Sequence, residues 1–254
     1  MTMTIGNYEY IAGKVTEVTV REKSVLMKLL TSVYQKEEKK RYDETVELVF
    51  ANSNENNYTD RFSKLDVVDS DILVKARKDD RDNYFGYQFI FPGNIMKCAY
   101  KGKDGSDKVA NIYFGKVNIF DNKVTKTSTG KERLSGSIGV SKKDESGNKE
   151  TEWISITFWN NDDNPLATKA YKLLADTPVA ILRLGEISEY TKKDGTTGQS
   201  ASVNKFLVYA FKSKDKDEAP ADSESSGTTA PAASPASSVF SSDLDDDDDE
   251  YSGF

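Results

Sequence analysis

Thr151 to Asn160 read Thr-Glu-Trp-Ile-Ser-Ile-Thr-Phe-Trp-Asn, and this run contains both tryptophans of a 254-residue chain. Side chains of a strand alternate between faces, so Ile154, Ile156 and Phe158 point one way while Trp153, Ser155, Thr157 and Trp159 point the other. The first set makes a core face. The second puts two large flat rings on one wet surface, spaced by small hydroxyl side chains. Exposed tryptophans on a sheet call for a partner that covers them, and the bases of a single-stranded nucleic acid suit such a platform, although exposed aromatics also mark protein interfaces. Lys142, Lys143 and Lys149 precede the run and Lys192 and Lys193 sit in a later Gly-containing hairpin, cations that could hold phosphates around the rings.

Composition narrows the chemistry. The chain has one cysteine, Cys98, and no histidine, which rules out an internal disulfide, a Cys/His zinc site and His-based catalysis. No phosphate-cradling Gly-Lys-Ser/Thr loop, metal-spaced carboxylate set or nucleophile with a base is visible, so a non-enzymatic protein without cofactor or metal is expected. No run reaches the 18 or more apolar residues of a membrane span and the N-terminus lacks a secretory pattern, so a soluble cytoplasmic protein with no membrane partner is expected. The net charge of −7 hides an asymmetry. Residues 1–105 balance 17 Lys/Arg against 17 Asp/Glu, residues 106–212 carry 16 against 13, and residues 213–254 carry 2 against 12. The acidity therefore belongs to the tail, and the middle of the chain is mildly basic.

The elements that position the aromatic run occur twice. Tyr-Ile-Ala-Gly-Lys-Val at Tyr10 to Val15 is echoed by Ile-Tyr-Phe-Gly-Lys-Val at Ile112 to Val117, and Glu44 to Asn52 aligns with Glu152 to Asn160 at an offset of 108. Val46, Leu48 and Phe50 then fall on Ile154, Ile156 and Phe158. Each copy reads strand, strand, strand, short helix, strand, strand, with a bend or bulge expected around Gly13 in the first. That order is the order of an OB-fold, a five-stranded, partly open barrel. The expectation is an all-β protein of two tandem OB-fold barrels, residues 1–105 and 106–212, followed by a disordered acidic tail, residues 213–254.

The run from Thr151 through Trp159, with Ala167 to Leu174 and Val179 to Ile187, resembles bacterial and bacteriophage single-stranded-DNA-binding proteins. The resemblance implies that Trp153 and Trp159 stack on bases, with Tyr190 an approximate counterpart of a third aromatic. It implies coating and protection of single-stranded DNA in replication, recombination and repair, in a bacterial cell or as a phage-encoded protein in its host. It covers about residues 111 to 211 and returns at the C-terminus, because in that family an acidic tip ending in Phe docks replication and repair proteins. The resemblance implies that Asp245, Asp246, Asp247, Asp248, Asp249, Glu250, Tyr251 and Phe254 form the corresponding docking segment, with Tyr-Ser-Gly-Phe in place of the family's Ile-Pro-Phe. Thr45 and Ala51 stand where the second copy has Trp153 and Trp159, so the first barrel lacks that platform and could instead serve a homodimer interface. The alternative from another class is a protein-interaction scaffold of two barrels with a nucleic-acid-mimicking tail.

Overall fold

A computed structural model describes residues 2–35, 40–102, 104–121, 123–143, 148–161, 163–175 and 179–209. The first sheet comprises β1 (Thr2–Ile5), β2 (Tyr8–Val20), β3 (Ser24–Gln35), β4 (Lys40–Ala51), then helix α1 (Tyr58–Ser63), β5 (Asp71–Lys78) and β6 (Tyr84–Ile90). The second comprises β7 (Asn94–Lys101), β8 (Asp107–Ile119), β9 (Thr125–Lys126), β10 (Glu132–Lys143), β11 (Lys149–Trp159), helix α2 (Leu166–Leu174), β12 (Val179–Leu184), β13 (Ser188–Thr191) and β14 (Thr197–Val208).

Both sheets close. In the first, β2 pairs with β3, β3 with β4, β4 with β6 in parallel, β6 with β5, and β5 returns to β2. In the second, β8, β10, β11, β14 and β12 repeat the same circuit, with the parallel contact between β11 and β14. This circuit, with one helix after the third strand, is the OB-fold twice over. Each closed sheet encloses its own core, alternate residues of every strand pointing inward: Leu48, Phe50, Ile72 and Val74 in the first, Ile154, Ile156, Phe158 and Leu182 in the second.

The duplication extends to how each helix is seated. The Asn52 Oδ1 accepts the Tyr58 and Thr59 amides at 2.9 and 3.2 Å, and the Asn52 amide donates to Thr59 Oγ1 at 2.9 Å. Asn160, its counterpart, accepts from the Thr168 amide at 3.1 Å and donates to Thr168 Oγ1 at 2.8 Å. In both barrels the residue after the third barrel strand thus satisfies helix N-terminal donors that lack intrahelical partners.

Two sequence expectations are corrected. The sheets divide between Ile90 and Asn94 rather than at residue 105, because β7 pairs with β8 along its whole length. The irregularity in β2 lies between Val15 and Glu17, not at Gly13. Gly13 serves close packing instead, since a Cβ there would meet the Leu30 carbonyl oxygen at 2.7 Å; at the matching Gly115, with φ +151°, it would meet the Gly93 nitrogen at 2.6 Å.

A third apolar cluster joins the two sheets. Met3, Tyr10, Ala12 and Leu73 from the first pack with Met96, Cys98, Ile112, Phe114 and Ile181 from the second, all buried. Cys98 is the small buried residue that its surroundings favour. Tyr209, just past β14, closes this seam by donating from its hydroxyl to Asp71 Oδ1 at 2.8 Å, and the Arg183 guanidinium donates to the Tyr100 hydroxyl at 2.7 Å.

Candidate nucleic-acid interface

The wet face of the second barrel is set by strand register. β11 lies between β10 and β14, so Trp153 faces Gly139, Ser155 lies between Ser137 and Ser200, Thr157 lies between Ser135 and Ser202, and Trp159 faces Arg133. The middle of the face is therefore paved with short hydroxyl side chains, and rings stand at its margins. Glycine directly across from each of two rings lets the ring lie on the sheet. A Cβ on Gly139 would stand 3.4 Å from the Trp153 indole, and one on Gly198, paired with Tyr190, would stand 2.7 Å from the Tyr190 ring.

A cleft of about 430 Å³ opens on this face, lined by Asn118, Phe120, Ser137, Trp153, Ser155, Tyr190, Lys192 and Gly198. Trp153 is 57% exposed, Tyr190 41% and Phe120 61%, so three aromatic surfaces are offered to solvent around a floor of small polar groups. The Tyr190 hydroxyl lies 3.3 Å from Ser155 Oγ, which ties the β13 ring to the β11 floor. Lys192 is held over Gly198 by a tight turn: its amide donates to the Thr196 carbonyl at 2.8 Å, and Gly195 takes φ +83°. Asp194 fixes that turn by accepting from Thr196 Oγ1 and the Thr196 amide, and these hydrogen bonds hold its carboxyl below the usual range.

Of the residues singled out from the sequence, the fold brings Trp153, Ser155, Tyr190 and Lys192 to one cleft. Thr157 and Trp159 share the face but continue beyond it; six residues of strand carry Trp159 roughly 20 Å along β11 from Trp153. Trp159 is half-buried, with Arg133 opposite. Lys149 and Lys193 are exposed. Lys142 is not free to receive a phosphate as expected, because it is ion-paired with Glu152, its diagonal neighbour across the β10–β11 ladder. The Lys143 side chain and residues Asp245 to Phe254, expected from the sequence to dock partner proteins, lie outside the described residues. Phe120 carries no sequence signal for this site. It follows the last residue of β8, where alternation no longer marks a face; its exposure beside a strand end is visible only once β8 is seen to cross β10 at Asn118 and Ser137.

The first barrel has no such platform at the matching place. Thr45 and Ala51 are exposed there, and Lys28 bridges Glu17 at 2.9 Å and Glu47 at 3.8 Å, which fills the same hairpin face with paired charge. Among the described residues no group of acidic or sulfur ligands could hold a metal ion, and no helix is long and apolar enough to cross a membrane.

No family model matches the chain, and no curated protein matches it. Among solved structures, the wild-type single-stranded DNA binding protein from Thermus aquaticus is similar over 83% of this chain and 96% of its own, at 9% identity and a TM-score of 0.27. A deletion mutant of the same protein is similar over 83% and 98%, at 9% identity and a TM-score of 0.29. Likenesses this distant carry no weight for the function of this chain.

Proposed function

We propose that this protein binds single-stranded DNA with little sequence preference, chiefly through the second barrel, and does so as a binding protein without catalysis. The observation that carries the proposal is the cleft itself: Trp153, Tyr190 and Phe120 exposed around a floor of Ser137 and Ser155, with Lys192 at its edge. Rings accept any base by stacking, small hydroxyls let the bases approach the sheet, and a lysine on a fixed turn meets the backbone. Little in such a floor reads a base edge, so sequence tolerance follows from its composition. Coating and protection of strands in replication, recombination and repair, and recruitment of partner proteins through the acidic run ending in Phe254, complete the proposal; their support is the resemblance in the sequence and the charge of residues 213–254.

The test is titration with dye-labelled oligo-dT, with affinity read from anisotropy in every variant and stacking read from tryptophan quenching in the unaltered protein. Stacking contributes roughly 1 to 3 kcal/mol per base, so Trp153→Ala, Tyr190→Ala and Phe120→Ala each weaken binding about tenfold or more at fixed salt. Absence of quenching, or unchanged affinity in all three variants, overturns the proposal.

A further inference from the structure

We infer that the first barrel carries a second single-strand binding surface, on a face different from the cleft of the second barrel and built on a bulge in β6. The surface goes beyond the function proposed above, since it uses no residue of the cleft. Between Lys75 and Ala76 of β5 the register with β6 slips, pairing Lys75 with Gln88 but Ala76 with Gly86. Tyr87 is the extra residue, and the bulge turns it outward, 46% exposed. Its ring meets Tyr8 of β2 edge to face, with centroids 5.6 Å apart. The Lys75 ammonium lies 3.9 Å from the Tyr8 centroid. Arg77, exposed and two residues along β5 on the same face, pairs with Phe85 of β6.

The same slip occurs in the second barrel, where Arg183 pairs with Lys205 and Leu184 with Val203, leaving Asn204 as the extra residue. The bulge thus belongs to the fold. An aromatic placed on it belongs to the first barrel.

Charge identifies the occupant. Lys75 and Arg77 pair with no carboxylate among the described residues, and they flank the rings of Tyr8, Tyr87 and Phe85. Unpaired cations interleaved with aromatic surface match a polyanion whose own units are flat rings, which is a single strand of nucleic acid. An acidic peptide without aromatic side chains would satisfy the cations and leave the rings uncovered.

The experiment uses the full chain and a dye-labelled oligo-dT of about six nucleotides, near the small end of the site size of one barrel. Anisotropy counts all strands bound per chain. Tryptophan quenching reports the second barrel alone, because both tryptophans lie on β11. The expected result is two strands per chain, one of them silent in tryptophan fluorescence, and a Lys75→Gln/Arg77→Gln/Tyr87→Ala variant that loses the silent strand while quenching is unchanged. Loss of two cations also flattens the salt dependence of that strand's affinity by about 1.4 in log–log slope. Thermal melting of the variant checks that it stays folded. One strand per chain with full quenching in the unaltered protein, or a silent strand that persists in the folded variant, overturns the inference. So does a surface that takes an oligo-aspartate peptide and no oligo-dT. A single strand that never quenches tryptophan but vanishes in the triple variant upholds this surface and overturns the cleft.

Discussion

At the scale of single residues, what distinguishes the cleft is less its aromatics than the glycines beneath them. Gly198 leaves room for both the Tyr190 ring and the Lys192 methylenes, the latter 2.9 Å from where its Cβ would stand. Gly198→Ala therefore lifts Tyr190 off the sheet without deleting it. The expected outcome is a several-fold loss of oligo-dT affinity, on the scale of about 1 kcal/mol for part of a stacking contact, with an unchanged melting temperature. Trp159→Ala serves as the internal comparison: half-buried and outside the cleft, it costs less affinity than Trp153→Ala in the same titration. The alternation of β11 makes the shared face of Trp153 and Trp159 legible in the sequence, because a period of two is all that it requires. Which ring lines the cleft is not legible, since that depends on β13 and Phe120 arriving from elsewhere in the chain. The pairing of Lys142 with Glu152 is hidden for a similar reason: ten residues separate them, and only the hairpin register makes them diagonal neighbours.

Elements are legible where their inward residues repeat. Val46, Leu48 and Phe50 against Ile154, Ile156 and Phe158 reveal the duplicated third strand, and Asn52 and Asn160 mark the same helix seat in each copy. Strand β7 is not legible because it follows Pro92-Gly93, where a linker would start, and because its buried Met96 and Cys98 face the seam rather than a barrel interior. The helix seat makes a prediction at this scale. Helix α2 begins at Pro165 with no side-chain cap of its own, so Asn160 supplies a partner for its first turn. Asn160→Ala leaves the Thr168 amide and hydroxyl without it and destabilises the protein by about 1 to 2 kcal/mol, read as a lower denaturant midpoint.

At the scale of the whole molecule, the seam decides whether two barrels behave as one body. Its apolar cluster is continuous from Met3 to Ile181, so a single cooperative unfolding transition is expected. Burial, with the hydrogen bond and charge of Asp71 added, pushes the Tyr209 phenol well above its ordinary range, so the native state holds it neutral. A native pKa raised in this way stabilises fully below the ordinary phenol range near pH 10 and is lost as pH climbs beyond it. Tyr209→Phe has no proton to lose there, so its stability falls less steeply above about pH 10 than that of the unaltered protein, as denaturant midpoints measure. At neutral pH the same variant is less stable by about 1 kcal/mol, because the Asp71 carboxylate loses this donor. The acidic segment adds a prediction about binding: removing residues 213–254, which carry 2 Lys/Arg against 12 Asp/Glu, takes away a net charge of −10 and raises oligo-dT affinity, most at low salt, while the barrels stay folded.

Tyr209 also decides how the molecule bears a mechanical load. Whatever pulls on the chain beyond it pulls first on a residue fastened to Asp71 of the other barrel, then on β14, which is laddered to β11 on one side and to β12 on the other. Tension along that strand shears both ladders together instead of unzipping hydrogen bonds one at a time. Rupture under force is governed by the height of the unfolding barrier rather than by equilibrium stability. A pull on the C-terminal end of the chain therefore works against a strand of the second barrel that is sutured on both sides.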